Sequence, residues 1–509
     1  EMLPLPRGNY RNLSASGKYL FYMNKDEGDF NHFEFRAVGP MDLCRFDFEE
    51  REEKTVIPGI GGYRLSADQE SIVYRKGHEV GIISAGVTDS AGDNLDLSGL
   101  TMKLDPLAEW KQMYYEAWRM ERDFYYEPNM HGLDWEAMRE RYAELLPSLS
   151  CRSDLRYLIG ELIGELNTSH TYVFGGDYRR RAERVNIGLL GVDWTVDSKA
   201  GRYSFGKIYR VADWTRNIIP PLSGPGVDVN PGDYLISVNG KDVTAVRNVH
   251  SYFEGLAGEQ VMIGVSSEAD DSSPRIYTVE PLRGEHTLRY LGWVEHNRKV
   301  AAESSGGEIG YIHLPDTYLG SAREFPKYFY SQTRKKGLII DGRFNGGGLN
   351  PAIFLRRLRR EPLTYWTRRY SHDQTSPAVA VNAHMVCLTN RQAGSGGDEL
   401  PMEFQMFNMG PVIGTRTWGG LVGVSMWIGL VDGGGISAPD YRIYDREGRW
   451  IVENEGVTPD IVVDLDPVET SRGYDAQLMK GIEYLKDKIA SDPPDWPEHE
   501  PFPVDRLTE

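Results

Sequence analysis

The sequence predicts a multidomain α+β protein built from four segments of different pattern and a tail. Turns and alternating strands fill residues 1–103, whereas apolar residues recur at helical spacing in 104–183. Strand and turn patterns return in 184–284, and short apolar strands alternate with helices in 285–490. The final stretch, 491–509, is rich in proline and acidic residues, which is typical of a surface tail. At 509 residues, the chain is long enough for about three or four domains.

Composition and charge exclude several classes of partner. The chain is 40% hydrophobic and 26% charged, as globular proteins are, and its formal net charge is −18. We do not expect a nucleic-acid partner, because such a partner requires a basic face. No apolar span in the sequence reaches the length of a membrane helix. The three cysteines form no CxxC pair, which favours reduced thiols and a cytoplasmic location.

Two similar phrases open the chain, LSASGKYLFY from Leu13 and LSADQESIVY from Leu65. Each predicts a turn followed by an alternating strand, and their spacing is close to one β-propeller blade of roughly 40–50 residues. A closed propeller needs about 4–8 blades, and only about two fit before Leu104. We therefore interpret 1–103 as the last blades of an incomplete β-propeller and expect the chain to be the C-terminal part of something longer. A small antiparallel sheet is the alternative.

The segment 104–183 predicts a helical bundle. In LDWEAMRERYAELL the expected N-cap is Asp134, and in SDLRYLIGELIGEL it is either Ser153 or Asp154. The helical pattern ends near Leu166 and continues directly into NTSHTYVFGG. A polar turn that carries a histidine therefore follows the last helix of this segment.

The segment 184–284 resembles a PDZ domain in the order of its motifs. The phrase VNPGDYLISVNGKDV predicts a turn, a strand and, at Asn239-Gly240, a tight hairpin turn. A Gly-Leu loop of the kind that binds a carboxylate is expected near Gly188 to Gly191. A PDZ domain binds extended peptides by adding a strand to its sheet edge, although here it could equally be a fixed spacer.

The segment 285–490 predicts an α/β domain. GLIID, HMVCL and GPVIG are short apolar runs, and each leads into a glycine-rich turn. Helical patterns such as NPAIFLRRLRR lie between these runs. This alternation of strands and helices is typical of crossover units around a parallel sheet.

The stretch NRQAGSGGDELP places Ser395 between a buried-looking run and a predicted helix. A serine on a tight strand-to-helix turn exposes its hydroxyl beside helix-terminal N–H groups, where a catalytic nucleophile gains most from its surroundings. The N–H of Gly396 would be one donor to an oxyanion, and DGRFNGGGLN could supply another from Gly346 or a neighbour. Gly-Ser-Gly is also ordinary loop sequence, so this motif alone does not decide the function.

A serine nucleophile needs a base, and the residues alone do not select one. Eleven histidines compete, among them His170, His372 and His384. Lysine is the other possible base, yet none occurs between Lys336 and Lys480, which disfavours a Ser-Lys dyad. The HExxH motif and Cys/His clusters with ligand spacing are absent, so we expect no metal and no cofactor.

Together these motifs resemble the C-terminal half of the tricorn protease family, within the tail-specific serine peptidase clan. The phrases that carry the resemblance follow one another along the chain: EAWRMERDFYYEPNMHGLDW, GELNTSHTYV, GLLGVDW, DGRFNGGG, AGSGGDELP, GPVIGTRTWGG and ENEGVTPDI. The resemblance implies the end of a β-propeller, a helical domain that carries the catalytic histidine, a PDZ domain, and a crotonase-like or ClpP-like α/β catalytic domain.

The resemblance also implies a Ser-His-Ser-Glu catalytic tetrad. Ser395 matches the nucleophile, His170 matches the base, and Ser169 matches the serine that orients the base. Glu453 matches the acid that polarises this serine, although Glu455 is a near neighbour that the sequence does not exclude.

The oxyanion donors implied by the resemblance are the N–H groups of Gly396 and, within NGGG, of Gly346. Gly396 departs from the family, in which the residue after the nucleophile is often Asp, but only a backbone N–H is required there. The family's preference for basic side chains depends on an acidic residue soon after the glycine-rich corner. Between Leu349 and Tyr370 the only acid is Glu361, so this preference is not carried over.

The function implied by the resemblance is a serine peptidase that cuts short peptides, such as proteasome products, within a homo-oligomer that is a hexamer in the family. Two alternatives stay open at this point. The chain could be a catalytically inactive protein that binds peptides through its PDZ domain, or it could be a Ser-Lys processing protease.

Overall fold

A computed structural model describes residues 3–6, 8–25, 40–87, 93–177, 184–213, 216, 218–270, 273–349 and 351–503. Parts of the predicted segments lie outside the described residues, namely 1–2, 7, 26–39, 88–92, 178–183, 214–215, 217, 271–272, 350 and 504–509. Two compact units divide the chain, Glu1–Glu109 and Trp110–Glu509, and each is described by itself.

The first unit contains two four-stranded antiparallel sheets in its described part. The first sheet consists of β1 (Arg11–Ala15), β2 (Tyr19–Asn24), β3 (Met41–Asp47) and β4 (Glu53–Ile60). The second consists of β5 (Gly62–Leu65), β6 (Ser71–Lys76), β7 (Glu79–Ser84) and β8 (Asp93–Asn94). Buried side chains of both sheets, such as Leu43 and Ile72, share one apolar core. Each of the two opening phrases folds as an antiparallel strand pair, β1–β2 and β5–β6. The predicted turns and strands are thus confirmed, whereas the propeller stays a prediction.

The predicted helices follow, and the first of them begins at the end of the first unit. They are α1 (Pro106–Phe124), α2 (Trp135–Ala143) and α3 (Arg152–Gly164), followed by the short strand β9 (Tyr172–Phe174). Asp134 is the N-cap of α2, and its carboxylate accepts the N–H of Ala137 at 2.9 Å. The predicted cap of α3 is wrong, because the N-cap is Cys151. The carboxylate of Asp154 instead accepts the N–H groups of Ser150 and Cys151 from inside the first turn.

The PDZ-like segment forms a six-stranded antiparallel sheet. Its strands are β10 (Val192–Asp197), β11 (Arg202–Ile208), β12 (Tyr234–Val238), β13 (Lys241–Asp242), β14 (Val261–Ser266) and β15 (Arg275–Val279). The predicted hairpin turn is confirmed: Asn239 and Gly240 both have positive φ, 48° and 76°, and join β12 to β13. Leu235, Ile263 and Phe205 are fully buried in the core of this domain.

The α/β segment is centred on a parallel sheet of five strands in the order β16-β17-β20-β21-β26. In chain order, its elements are α4 (His286–Ser304), β16 (Ile309–His313), α5 (Leu319–Phe329), β17 (Gly337–Asp341), α6 (Ala352–Leu358), β18 (Thr364–Arg368), β19 (Ser371–Ser376), β20 (His384–Thr389), α7 (Gly396–Met406), β21 (Val412–Gly414), β22 (Val422–Gly423), β23 (Met426–Gly429), β24 (Gly435–Ala438), β25 (Tyr441–Arg442), β26 (Ile461–Val462), α8 (Pro467–Ser471) and α9 (Ala476–Ser491). The three apolar runs noted in the sequence are the central strands β17, β20 and β21, as predicted.

Two features of this segment bring distant parts of the chain together. The carboxyl ends of parallel strands meet at one edge of a sheet, so the turns after β17 and β20 lie side by side. In addition, β24 pairs with β9, which begins two residues after His170, so the helical and α/β segments share a small sheet.

A fully buried ion pair supports the glycine-rich turn after β17. Arg343 Nη2 lies 2.7 Å from Asp341 Oδ2, and Nη1 reaches Asp475 at the start of α9. Burial alone would raise the pKa of Asp341, but the Arg343 guanidinium outweighs burial and holds this pKa below its ordinary value. The hydroxyl of Tyr311 also donates to Asp341 Oδ2, at 2.7 Å. Asp341 therefore joins β16 and β17 to the turn, and Arg343 extends the network to Asp475 at the start of α9.

We expect Arg343→Met to lower the free energy of unfolding of the α/β domain by about 3–5 kcal/mol, because it leaves the Asp341 carboxylate buried without its partner. Chemical denaturation followed by tryptophan fluorescence measures the change. The matched control is Arg391→Met, since Arg391 and Asp464 form an exposed pair, whose loss should cost less than about 1 kcal/mol. Equal effects of the two substitutions would contradict the supporting role of Arg343.

Candidate active site

Ser395 lies at the carboxyl edge of the parallel sheet, on the turn between β20 and α7. Its backbone has φ 58° and ψ −121°, a conformation that residues other than glycine rarely adopt. Its N–H donates to the Gly420 carbonyl at 3.0 Å, and its hydroxyl makes no capping hydrogen bond to α7. Backbone strain of this kind is concentrated at functional sites, and here it turns the hydroxyl away from the helix it precedes.

The turn after α3 brings His170 to Ser395, although 225 residues separate them in the chain. Nε2 of His170 lies 3.2 Å from Ser395 Oγ, and Nδ1 lies 2.9 Å from Ser169 Oγ. His170 also has positive φ, 59°. The imidazole therefore bridges two serine hydroxyls, one on its own turn and one on the α/β domain.

The rival bases named from the sequence do not reach Ser395. His384 begins β20, and its Nε2 lies 2.5 Å from the Asp492 carbonyl oxygen. His372 is exposed on β19. The amino groups of Lys336 and Lys480 pair with glutamates near them in the fold, and within the described ranges no lysine amino group is hydrogen-bonded to the Ser395 hydroxyl.

Glu453 occupies the centre of the hydrogen-bond network behind His170. Its Oε1 accepts the N–H of Ser169 at 2.7 Å, and its Oε2 accepts the Ser169 hydroxyl at 3.0 Å. Oε2 also accepts the N–H groups of Leu421 and Val422, at 2.6 and 3.0 Å. The residue is only 3% exposed, whereas Glu455 is exposed to solvent. Of the two candidate acids, the fold thus brings Glu453 to Ser169.

The surroundings of His170 favour its neutral form. Burial lowers the pKa of His170 below its ordinary value of 6.5, and the Glu453 carboxylate opposes this effect. The rings of Tyr172 and Trp418 lie beside the imidazole, with centroids 5.9 and 5.7 Å away. A neutral imidazole can accept a proton at Nε2 while Nδ1 carries its hydrogen.

The glycine-rich corner after β17 lies against the turn of Ser395. A Cβ atom added to Gly347 would come within 2.6 Å of Ser395 Cβ, so only glycine fits there. The N–H of Gly346 donates to the Pro315 carbonyl at 2.9 Å, and that of Gly347 donates to Asn345 Oδ1 at 2.9 Å. In the described part of the chain, the N–H groups of Gly396 and Gly348 have no acceptor.

Comparisons with known proteins show which families the segments of the chain match. The family models that match are the Tricorn protease C1 domain at residues 106–164, the Tricorn protease PDZ domain at 188–284 and Peptidase family S41 at 308–463. The chain is 31% identical to the tricorn protease of Thermoplasma acidophilum, over 95% of this chain and 44% of that protein. It is 32% identical to the tricorn protease homolog of Saccharolobus solfataricus, over 86% of this chain and 41% of that protein.

The structure of the chain is likewise similar to the crystal structure of the tricorn protease. The TM-score is 0.88 at 28% sequence identity, and the match covers 96% of this chain and 47% of that one. The chain belongs to the tricorn protease family. It spans less than half of the length of these tricorn relatives, and its segment 308–463 is a domain of the serine-type peptidases, which are hydrolases.

The sequence does not indicate every residue around Ser395 and His170. Trp418 and the N–H groups of Leu421 and Val422 lie in or directly after GPVIGTRTWGG, which carried the resemblance without any assigned role. The carboxylate of Asp398 accepts the N–H groups of Gly419 and Gly420 at 2.8 and 3.2 Å. The signal available in the sequence is the acidic residue Asp398, three residues after Ser395, in the first turn of α7.

The PDZ-like domain engages three of the four N–H groups of its predicted carboxylate loop in internal hydrogen bonds. Gly188 donates to the Phe253 carbonyl, and Leu189 donates to the Leu282 carbonyl, both at 2.9 Å. The N–H of Gly191 donates to Glu285 Oε2, also at 2.9 Å. Three N–H groups that could bind a peptide carboxylate are therefore already bonded in this conformation.

The described residues contain neither a candidate metal site nor a candidate membrane-spanning helix. No group of three or more His, Cys, Asp or Glu residues there could hold a metal ion. None of the helices in these ranges combines the length and the apolar character that a membrane crossing requires.

We expect Glu453→Gln to slow the reaction of Ser395 with a fluorophosphonate probe by roughly 100-fold or more, because an amide cannot accept all four hydrogen bonds of the carboxylate or stabilise a charged imidazole. The measurement is the second-order labelling rate at neutral pH. Glu455→Gln is the matched control and should label at the rate of the unaltered protein. Similar losses in both variants would contradict the selection of Glu453.

Proposed function

We propose that the protein is a serine peptidase that hydrolyses short peptides through an acyl-enzyme, with a tetrad of Ser395, His170, Ser169 and Glu453. The observation that carries the proposal is the unbroken hydrogen-bond chain from Ser395 Oγ through both imidazole nitrogens to Ser169 and Glu453. Membership of the tricorn protease family supports it. The same residue types in matching contexts had implied this tetrad from the sequence.

In the acylation step, Ser395 Oγ attacks the carbonyl carbon of the scissile bond while its proton passes to His170 Nε2. Nδ1–H of His170 donates to Ser169 Oγ, and the Ser169 hydroxyl donates to Glu453. The carboxylate thus stabilises the imidazolium through one intervening hydroxyl. When the tetrahedral intermediate collapses, the C–N bond breaks and the leaving amine takes the proton from Nε2.

Deacylation repeats the same proton path with water. His170 Nε2 takes a proton from a water molecule, whose oxygen attacks the acyl carbon. The ester bond to Ser395 Oγ then breaks, and the serine regains its proton from the imidazole. The products are a peptide with a new carboxyl terminus and free enzyme.

We propose that the oxyanion donors are the N–H groups of Gly396 and Gly348. Gly346, the donor expected from the sequence, already donates to the Pro315 carbonyl. Gly348 is supported by the position of its nitrogen, 3.0 Å from where a Cβ of Gly396 would stand. Two unengaged N–H groups beside the reacting hydroxyl are what a developing oxyanion requires.

The proposal includes peptide substrates of proteasome-product size, a cytoplasmic location and assembly as a homo-oligomer, a hexamer as in the family. These parts rest on the resemblance to the tricorn family. The PDZ-like domain does not favour the alternative of a purely peptide-binding protein, because its carboxylate loop is internally bonded.

Ser395→Ala should abolish peptide hydrolysis, because it removes the only atom that forms the acyl bond. The test incubates the protein with a mixed pool of peptides and detects fragments by mass spectrometry, with fluorophosphonate labelling in parallel. Ser371→Ala, on the exposed strand β19, is the control and should leave both readouts unchanged. Unaltered fragment formation by Ser395→Ala would refute the proposal, and so would an inert unaltered protein.

The acid limb of the pH profile of kcat/KM should have its midpoint below pH 6.5. His170 acts as a base only when neutral, and burial lowers its pKa, so protonation stops the reaction only at a pH below the ordinary histidine value. The profile is measured from about pH 5 to about pH 8 with a fluorogenic peptide. A midpoint above 6.5 would contradict the assignment of the buried imidazole as the base.

A further inference from the structure

Trp418 is an aromatic side chain that lies beside both the Ser395 turn and His170. Its ring centroid is 5.7 Å from that of the imidazole, with an angle of 38° between the two planes. A Cβ atom on Gly394 would come within 2.6 Å of the indole, and one on Gly420 within 2.3 Å. The indole therefore packs closely against Gly394 and Gly420, beside Ser395 and His170.

The backbone that carries Trp418 is held from both sides of the site. The Trp418 N–H donates to the Ala393 carbonyl at 2.9 Å, two residues before Ser395. The fully buried carboxylate of Asp398 accepts the N–H groups of Gly419 and Gly420, as well as the Thr417 hydroxyl. Just beyond, Glu453 accepts the next two N–H groups of the same segment. The backbone around Trp418 is thus held by the Ser395 turn and its helix on one side and by Glu453 on the other, while Trp418 itself is 46% exposed to solvent.

We propose that Trp418 is a positioning residue, whose indole keeps the His170 imidazole in the rotamer that faces Ser395 and shields it from water. The inference rests on the proposed function, since it concerns the base of that reaction. No contact between the indole and Ser395 Oγ is required. The indole acts through the imidazole alone.

The position of the indole gives it two measurable effects. The His170 ring hydrogen-bonds to two hydroxyls, and without a packed neighbour it could rotate away from both. Misplacement of a catalytic group by about 1 Å can cost roughly 100-fold in rate. In addition, removal of the indole would expose the imidazole, whose charged form is disfavoured by burial. The titratable groups that face His170 in the described structure are Glu453, through Ser169, and Tyr172. Both remain in place when the indole is removed.

The test compares Trp418→Ala and Trp418→Phe in the full chain. Trp418→Ala should lower kcat roughly 10- to 100-fold with little change in KM, and the acid limb of its pH profile should move to higher pH. Trp418→Phe keeps an aromatic ring over the imidazole and should recover most of the rate and the original limb. Trp496→Ala is the matched control, because Trp496 in the C-terminal tail packs edge-to-face against Tyr365 of β18. This substitution should leave kcat and the acid limb unchanged. Thermal unfolding verifies that each variant is folded.

Several outcomes would overturn the proposal. One is a Trp418→Ala variant with the original kcat and an unmoved acid limb. Another is a rise in KM at constant kcat, since the indole would then bind peptide. Labelling by a fluorophosphonate probe gives an independent readout of Ser395 activation and should slow in Trp418→Ala in proportion to kcat. If Ser395→Ala does not stop turnover, the proposed function itself is contradicted. If Ser395→Ala is inactive but the Trp418 variants keep the original kcat and acid limb, only the role of the indole is contradicted.

Discussion

The carboxylate of Glu453 is the group on which the geometry of the site depends. It is almost fully buried and accepts four hydrogen bonds, two from Ser169 and two from the segment after Trp418. A buried carboxylate is costly unless its acceptor capacity is filled, so the donors must stay where they are. Those donors belong to segments 284 and about 30 residues away in the chain. Satisfying one charge therefore fixes the histidine turn of the helical segment against the α/β domain.

Backbone strain is concentrated around this carboxylate. Ser395, His170 and Val452 all have positive φ, between 58° and 71°, and Val452 is β-branched, which makes that conformation especially unfavourable. Strained residues of this kind persist only where the surrounding contacts over-determine them. Here those contacts are the hydrogen bonds to Glu453, the Gly420 carbonyl that accepts the Ser395 N–H, and the packing of the glycine corners. The strained turns of Ser395 and His170 bring these two side chains together, and Val452 directly precedes Glu453, so relaxation of any of these turns would disturb the network.

Features that depend on neighbours in the sequence are predictable from it, whereas features that depend on residues distant in the chain are not. Strands β17, β20 and β21 and the cap at Asp134 are local and were predicted correctly. The cap of α3 was misassigned because Asp154 bonds backward to Cys151 from inside the first turn, and residue type alone does not separate the two arrangements. The choice between Glu453 and Glu455, and the engagement of the Gly346 N–H by Pro315, depend on partners far away in the chain. The resemblance to the family indicates Glu453 rather than Glu455. The hydrogen bond from the Gly346 N–H to Pro315 is seen only in the folded structure.

The PDZ-like domain lies within the 225 residues that separate His170 from Ser395 in the chain. A flexible loop of that length would oppose closure by its entropy, whereas a folded insert shortens the path that must be ordered. Side chains at the start of α4 contact the domain. Glu285 accepts the Gly191 N–H and forms an ion pair with Arg289, and Arg289 also forms an ion pair with Asp193 of β10. These bonds use the loop that a peptide-binding PDZ domain would offer to its ligand. In this conformation the Gly191 N–H therefore joins the domain to the start of α4 and is not offered to a peptide.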